Sequence, residues 1–419
     1  MTNPAGTLAP ETRIPRRLRP VSRRTDALWI LSVAVVYFAA ARLGLAFLIQ
    51  PSGIAPVWLP SGVFLAAILL TRQDVRPWLV GTLCLTDLVA ELVAGTSPAL
   101  GVAYALTLTG DAVLSAWLLL RFVGNPITFR RVRGVVGWLL LSVLLSNAIA
   151  ALVAAAAASV LAGASFWGAW SAWAIADGIG NLLVTPLALN WAAWAGAPWI
   201  RHPRRELEAA VLLILLAALN WVVFFGLPEL RALSELMTYL NFPFLLWASL
   251  RFDMRGVTSA LAIVAGVVIV DAVVSPGASR LDVGEVGNAA LMAQMYIALL
   301  AVPALLLAAV ASERSDTAAS LREGRALLRS IVEGTSDAVY AKDLEGRYTL
   351  FNASMETITG KSAEAVLGRD DTFLFPPDEA AVVMDGDRRV MQRVATSTHE
   401  ERVTAADGSV HTYLYAKGP

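Results

Sequence analysis

The 419-residue sequence predicts a polytopic α-helical membrane protein of about ten transmembrane helices with a C-terminal cytoplasmic α+β domain. Three observations carry this. Hydrophobic residues make up 57% of the chain and charged residues only 16%, against about 25% charged in a soluble domain of ordinary composition. Apolar runs of membrane-crossing length recur between short polar connections. After about residue 312 the charge density rises and short alternating strands replace the apolar runs, marking a domain boundary.

The first segment, 1–26, is rich in arginine and proline and lacks an apolar stretch followed by a small-residue cleavage site; it reads as a disordered cytoplasmic tail, not a cleaved signal peptide. Turn residues and charges then punctuate apolar segments near 27–49, 54–71, 76–94, 99–122, 135–162, 166–194, 208–226, 236–250, 256–274 and 287–311. Arginines cluster in the tail and in alternate connections, at Arg72 and Arg76, at Arg121 to Arg133, at Arg201 to Arg205, and at Arg251 and Arg255, whereas the intervening loops hold only Arg231 and Arg280. Because positive loops are retained in the cytoplasm, this alternation predicts an even number of spans, both termini inside, and an inner-membrane location. Cys84 lies alone in an apolar run, so no intrachain disulfide or thiolate metal cluster is available; it reads as a small core residue.

The stretch PSGIAPVWLPSG at 51–62 places three prolines and two glycines on an outside connection. The uninterrupted helix that follows, Pro60 to Arg72, reaches only about 20 Å. Two readings stand: irregular backbone dipping into the membrane, with Pro60 in a first helical turn, or an interfacial loop with Trp58 in the aromatic belt.

Arg42, Asp87, Glu91, Asp111, Asn147, Asp177, Asn181 and Asp271 fall inside apolar segments. Each charge costs about 2.5–3.5 kcal/mol at a helix centre, so intramembrane charges point to ligand, ion or proton sites. Asp87 and Glu91 are four apart, as are Asp177 and Asn181, so each pair shares a helix face. The expectation is that Arg42, Asp87, Glu91, Asp111 and Asp177, with Asn181, line one outward-facing polar cavity, with Arg42 as the basic partner. Asp271 reads as solvated near the outer surface, and the asparagines as helix-to-helix hydrogen bonding. The tryptophans read as anchors and packing.

The stretches VWLPSGVFLAAILL, RPWLVGTLCLTDLVAEL, GDAVLSAWLLLRFVG, IADGIGNLLVTPLAL and FPFLLWASLRFDMRGVTSA resemble, in order and spacing, the membrane-associated sensor domain of the first MASE class over roughly 28–312. The family's Trp-x-Pro-x-Gly motif is matched by Trp58, Pro60 and Gly62, its glycine-aspartate pair by Gly110 and Asp111, and its last motif by Asp177, Gly178, Val184, Thr185 and Pro186. The resemblance implies an integral-membrane input module, over 27–312, attached to histidine kinases or to cyclic-di-GMP enzymes.

From 313 to 333 a helical connector is expected, with Leu321, Leu328 and Ile331 in a narrow apolar stripe suited to a homodimer, though Gly324 weakens it. From 334 to 419 two strands around Glu345–Gly346, a helix across 378–395, and the strands THEERVTA and SVHTYLYAK around Asp407–Gly408 resemble a PAS domain of the S-box type. Such domains close with a further strand and a junction to an effector, and the chain stops before either. No cysteine in this region supports a flavin photoadduct and no histidine lies on the long helix for haem, so no cofactor is identified and haem and flavin are not expected; His399 and His411 read as surface residues.

The partners expected are the lipid bilayer, an unknown small-molecule or ion signal, and a second copy, with no nucleic acid; the net charge of zero is itself silent on nucleic acid. The signalling reading competes with a small-solute transporter or channel using the same polar pocket, against which the connector and PAS region weigh. No metalloprotease motif, phosphate loop, phosphoacceptor histidine box, GGDEF or EAL sequence is present, so no catalysis is expected of this chain itself.

Overall fold

The computed structural model describes residues 23–46, 55–125, 127–195, 203–225, 238–274, 288–404 and 410–419. The chain forms two compact units, 1–315 and 316–419.

Among the described residues, the secondary structure of the first unit is helical. Its helices are α1 (Arg23–Ala46), α2 (Leu59–Leu70), α3 (Arg76–Val93), α4 (Pro98–Phe122), α5 (Val132–Ala162), α6 (Phe166–Ala195), α7 (Pro203–Phe225), α8 (Asn241–Arg251), α9 (Met254–Val274) and α10 (Asn288–Gly334), whose residues from Asp316 on belong to the second unit. Proline in the first turn starts α2, α3 and α4, where its missing N–H costs nothing. Within α5, Leu139–Ser146 widens into a π-helix, a form often found at functional positions. Gly163 ends α5 in the left-handed conformation, φ 70°, which glycine adopts without strain.

Seven of these helices, α1, α4, α5, α6, α7, α9 and α10, are long and apolar enough to cross a membrane. The predicted segments 54–71, 76–94 and 236–250 do form helices, but α2 has 12 residues and α8 has 11, while α3, with 18, carries Arg76, Asp87 and Glu91. At 1.5 Å per residue α2 is about 18 Å long, short of the roughly 30 Å hydrocarbon core.

Large apolar side chains such as Leu31, Val35, Leu106, Leu144, Ile214 and Leu299 are exposed, as lipid-facing positions are when the solvent is hydrocarbon. Buried positions favour small residues instead: Ala150, Ala151, Ala154, Ala155 and Ala158 line one side of α5, letting helices approach closely. Two expectations are corrected here. Asp271 is 1% exposed, buried on α9 and not solvated. Cys84 is half-buried, its Sγ 3.8 Å from the Ala105 carbonyl.

The second unit contains β1 (Tyr340–Lys342), β2 (Tyr348–Phe351), α11 (Ala353–Thr359), α12 (Ala363–Val366), α13 (Asp371–Leu374), α14 (Pro377–Arg393), β3 (Ser397–Thr404) and β4 (Val410–Lys417). The strands pair as two antiparallel hairpins, Tyr340 opposite Phe351 and Ser397 opposite Lys417. Gly346 makes the first turn at φ 83°; the Asp407–Gly408 turn lies outside the described residues, as do the side chains of His399 and His411. Tyr348, Phe351, Met355 and Val366 form the core. Asn352, fully buried, caps α11 through Met355 N at 3.1 Å and donates to the carbonyls of Val332 and Asp337 at 2.9 and 2.8 Å. One side chain thereby fixes the C-terminal end of α10 to the start of the domain.

Candidate functional site: a buried acidic centre around α2 and α6

The short helix α2 is held against α6 by backbone contacts that only glycine permits. A Cβ at Gly62 would lie 2.6 Å from the Gly180 carbonyl oxygen, and one at Gly180 would overlap the carbonyl of Trp58. Trp58 N donates to Ala176 O at 2.9 Å, and Ser61 Oγ donates to the carbonyls of Trp58 and Asp177 at 2.8 and 3.2 Å. Both backbone polar groups of Trp58, in the irregular stretch ahead of α2, are thus satisfied by protein. The Trp58 ring packs on α1, its Cε3 lying 3.1 Å from where a Gly44 Cβ would be. Pro60 sits in the first turn of α2, and residues 51–54 lie outside the described residues.

Around this crossing gather the predicted acids. Asp87, Glu91, Asp111 and Asp177 are 1%, 6%, 5% and 3% exposed. Tyr37 of α1, fully buried, donates to Asp87 Oδ1 at 2.8 Å. Ser146 of α5 donates to Asp111 Oδ1 at 2.5 Å. Asp177, on α6 beside them, has its Oδ2 buried without a hydrogen-bond partner. Glu91 stands at the edge, accepting from Thr96 Oγ1 at 2.7 Å.

Asn181, one turn beyond Asp177, is the centre of a second set of bonds. Its Nδ2 donates to Ser142 Oγ at 2.7 Å, and its Oδ1 accepts from Thr185 Oγ1 at 2.6 Å and from Trp138 Nε1 at 3.3 Å. Ser142 Oγ donates in turn to Ser115 Oγ at 3.0 Å. Asn147 Nδ2 donates to Ala174 O at 2.5 Å, agreeing with the helix-to-helix role expected of the asparagines. Pro186 lies inside α6, with its carbonyl accepting from Asn190 Nδ2 at 2.6 Å.

Arg42 does not join the acids. It is exposed on α1, while Tyr37, Ala41 and Gly44 form that helix's buried side. None of the ion pairs among the described residues involves Asp87, Glu91, Asp111 or Asp177. Four buried side-chain atoms near this crossing have no hydrogen-bond partner: the acceptors Asp87 Oδ2, Asp177 Oδ2 and Asn147 Oδ1, and the donor Trp58 Nε1. No set of three acids, histidines or cysteines among the described residues is placed to hold a metal ion. The centre is therefore rich in acceptors and short of positive charge, and it suits a species that brings protons or N–H donors.

An open cleft of about 450 Å³ lies elsewhere, between α6 and α9, lined by Val184, Leu187, Ala188, Trp191, Ser259, Ala262 and Ile263. It contains no carboxylate and plays no part in the acidic centre.

Sequence reasoning missed Tyr37, Ser61, Ser115, Ser142 and Ser146 as members of the centre. A serine pair four apart in an apolar run, as at Ser142 and Ser146, is the signal that points to them.

Part of the chain is 26% identical over 92 residues to the aerobic respiration control sensor protein ArcB of Escherichia coli K12, and equally to that of Shigella flexneri; the match covers 22% of this chain and 12% of each relative. No solved structure matches. The PAS fold profile matches residues 332–419. The MASE1 profile matches residues 29–315, the helical unit that holds the acidic centre, and the chain belongs to the MASE1 family of integral membrane proteins.

Proposed function

We propose that this chain is the membrane-embedded sensory input portion of a bacterial signal-transduction protein, in which the acidic centre receives the signal. MASE1 and PAS domains in series support an input module, and the match to a named sensor protein is consistent with it. The observation that carries the reading is a set of four buried acidic side chains that no ion pair among the described residues supplies with a basic partner, in a medium where an uncompensated charge is costly. The signal is a small species that supplies positive charge or hydrogen-bond donors to Asp87, Asp111 and Asp177, with Glu91, Asn181 and Trp58 around them.

The finer reading has ten spans with both termini in the cytoplasm, in the inner membrane. The connector pairs two copies through Leu321, Leu328 and Ile331, all exposed on α10, and the effector is a histidine kinase or a cyclic-di-GMP enzyme.

The test uses the full chain in lipid nanodiscs. Asp111→Asn and Asp177→Asn are expected to insert at wild-type abundance and to change amide exchange in 313–334. A structural role for the acids predicts the opposite pattern: lower abundance and thermal stability, with unchanged exchange in whatever protein survives.

A further inference from the structure

We propose that Gln294 is the clamp through which the acidic centre acts on α10, the helix that continues to Gly334. This rests on the reading of that centre as the point where the signal is received. Gln294 is 3% exposed on an otherwise apolar face of α10, flanked by Ala290, Ala293 and Ile297. A buried amide without a partner is unfavourable by a few kcal/mol, so its partners matter. Its Nε2 donates to Pro56 O at 2.9 Å and to Ala55 O at 3.4 Å. Those carbonyls belong to the irregular stretch ahead of α2, where no helix satisfies them.

The same stretch leads straight to the acids. Two residues beyond Pro56, Trp58 N is bonded to Ala176 O, the residue before Asp177, and Ser61 bridges the carbonyls of Trp58 and Asp177. From the Asp177 backbone to α10, every step is a hydrogen bond or a short piece of peptide chain. A ligand or proton that shifts Asp177 moves the 55–58 backbone, and that backbone pulls on Gln294.

A second clamp holds α10 from the other side. Tyr296 lies two positions on, about 200° around the helix. Its hydroxyl donates to Thr238 O at 2.9 Å and accepts from Asn241 Nδ2 at 2.7 Å. Asn241 and Asn220 exchange amide hydrogen bonds at 2.8 and 3.0 Å. So α10 is tied by Gln294 to the segment that carries the acidic centre, and by Tyr296 to α7 and α8. Releasing one tie while the other holds would let the helix take a second arrangement, and an element with two arrangements is what coupling between distant sites requires.

The experiment is a double-mutant cycle on the full chain in nanodiscs, read by amide exchange in 313–334. Asp177→Asn is compared with wild type, then Asp177→Asn/Gln294→Leu with Gln294→Leu. The expected result is a change of about threefold or more on substituting Asp177 in the wild-type background, falling to near one in the Gln294→Leu background. An equal effect of Asp177→Asn in both backgrounds overturns the clamp and leaves the sensory reading standing. No effect in the wild-type background overturns both. Gln294→Met, which keeps length without the donor, replaces Gln294→Leu if that variant fails to accumulate; if neither folds, the contact is a folding contact and the proposal fails.

Discussion

At the scale of single residues, the acidic centre depends on glycine as much as on aspartate. Gly180 lets the Trp58 carbonyl approach α6 to a distance that any Cβ forbids, so Gly180→Ala is expected to force α2 outward and to destabilise by about 1–3 kcal/mol. Gly266→Ala on α9, where a Cβ meets nothing within 4 Å, is expected to be neutral or slightly stabilising, by up to about 1 kcal/mol, because alanine is the better helix former. Thermal unfolding of the two variants side by side checks this; equal melting shifts would remove the close-approach argument. The four acids were legible because a charge in an apolar run has no ordinary explanation. The hydroxyls that bond them were not, since serine is neutral to the apolar pattern and only the packed structure shows which face it is on. Arg42 shows the limit from the other side. Its place in an apolar run was legible, but its direction follows from the rotation of α1, which buries Tyr37 and Ala41 and turns Arg42 outward.

At the scale of elements, the PAS unit carries a feature that no local pattern announces. Lys342 of β1 pairs with Asp371 of α13 and Asp387 of α14, both at 2.6 Å, and Lys417 of β4 pairs with Asp387 at 2.7 Å. Tyr348 of β2 donates to Asp371 Oδ1 at 2.7 Å; burial, and then the charge of Asp371, pushes its hydroxyl well above the ordinary tyrosine range, so it stays a donor. Hairpins were legible from alternation and turn residues, but this network joins side chains scattered through the unit and appears only when the elements pack. Asp371 is 0% exposed, and removing one member of a buried pair typically costs about 3–5 kcal/mol, so Asp371→Asn is expected to lower the stability of this unit by about 3 kcal/mol. Burial alone would raise Asp387, but the hydrogen bonds from Lys342 and Lys417 hold it below the ordinary 3.8. A carboxylate depressed in the folded state stabilises above its unfolded value, and that stabilisation disappears as pH falls through the folded one. The unit is therefore expected to lose stability below about pH 4, and Asp387→Asn to flatten that loss. Unfolding followed from pH 7 to pH 3 separates the two, and an acid limb unchanged in Asp387→Asn would assign it elsewhere.

At the scale of the whole molecule, the number of crossings decides where the PAS unit lies. Apolar length was legible for seven helices; the remaining three predicted segments were legible as helices, but their ability to cross depends on neighbours and on local bilayer thinning, which hydropathy does not encode. Parity gives the question an answer. Seven crossings put the two termini on opposite sides; counting α2, α3 and α8 as well puts them on the same side. Because α2 and α3 follow one another, including or omitting both leaves the later loops where they were, so α8, the 11-residue helix Asn241–Arg251, fixes the side of the C-terminus. The arginines near its end, Arg251 and Arg255, favour an inside loop there under the positive-inside rule, and hence a crossing between α7 and α9. Phosphatase and fluorescent-protein fusions at Gly163 and at the C-terminus are expected to report outside and inside respectively. A C-terminal fusion reporting outside would mean that α8 does not cross, and the connector could not then reach a cytoplasmic effector.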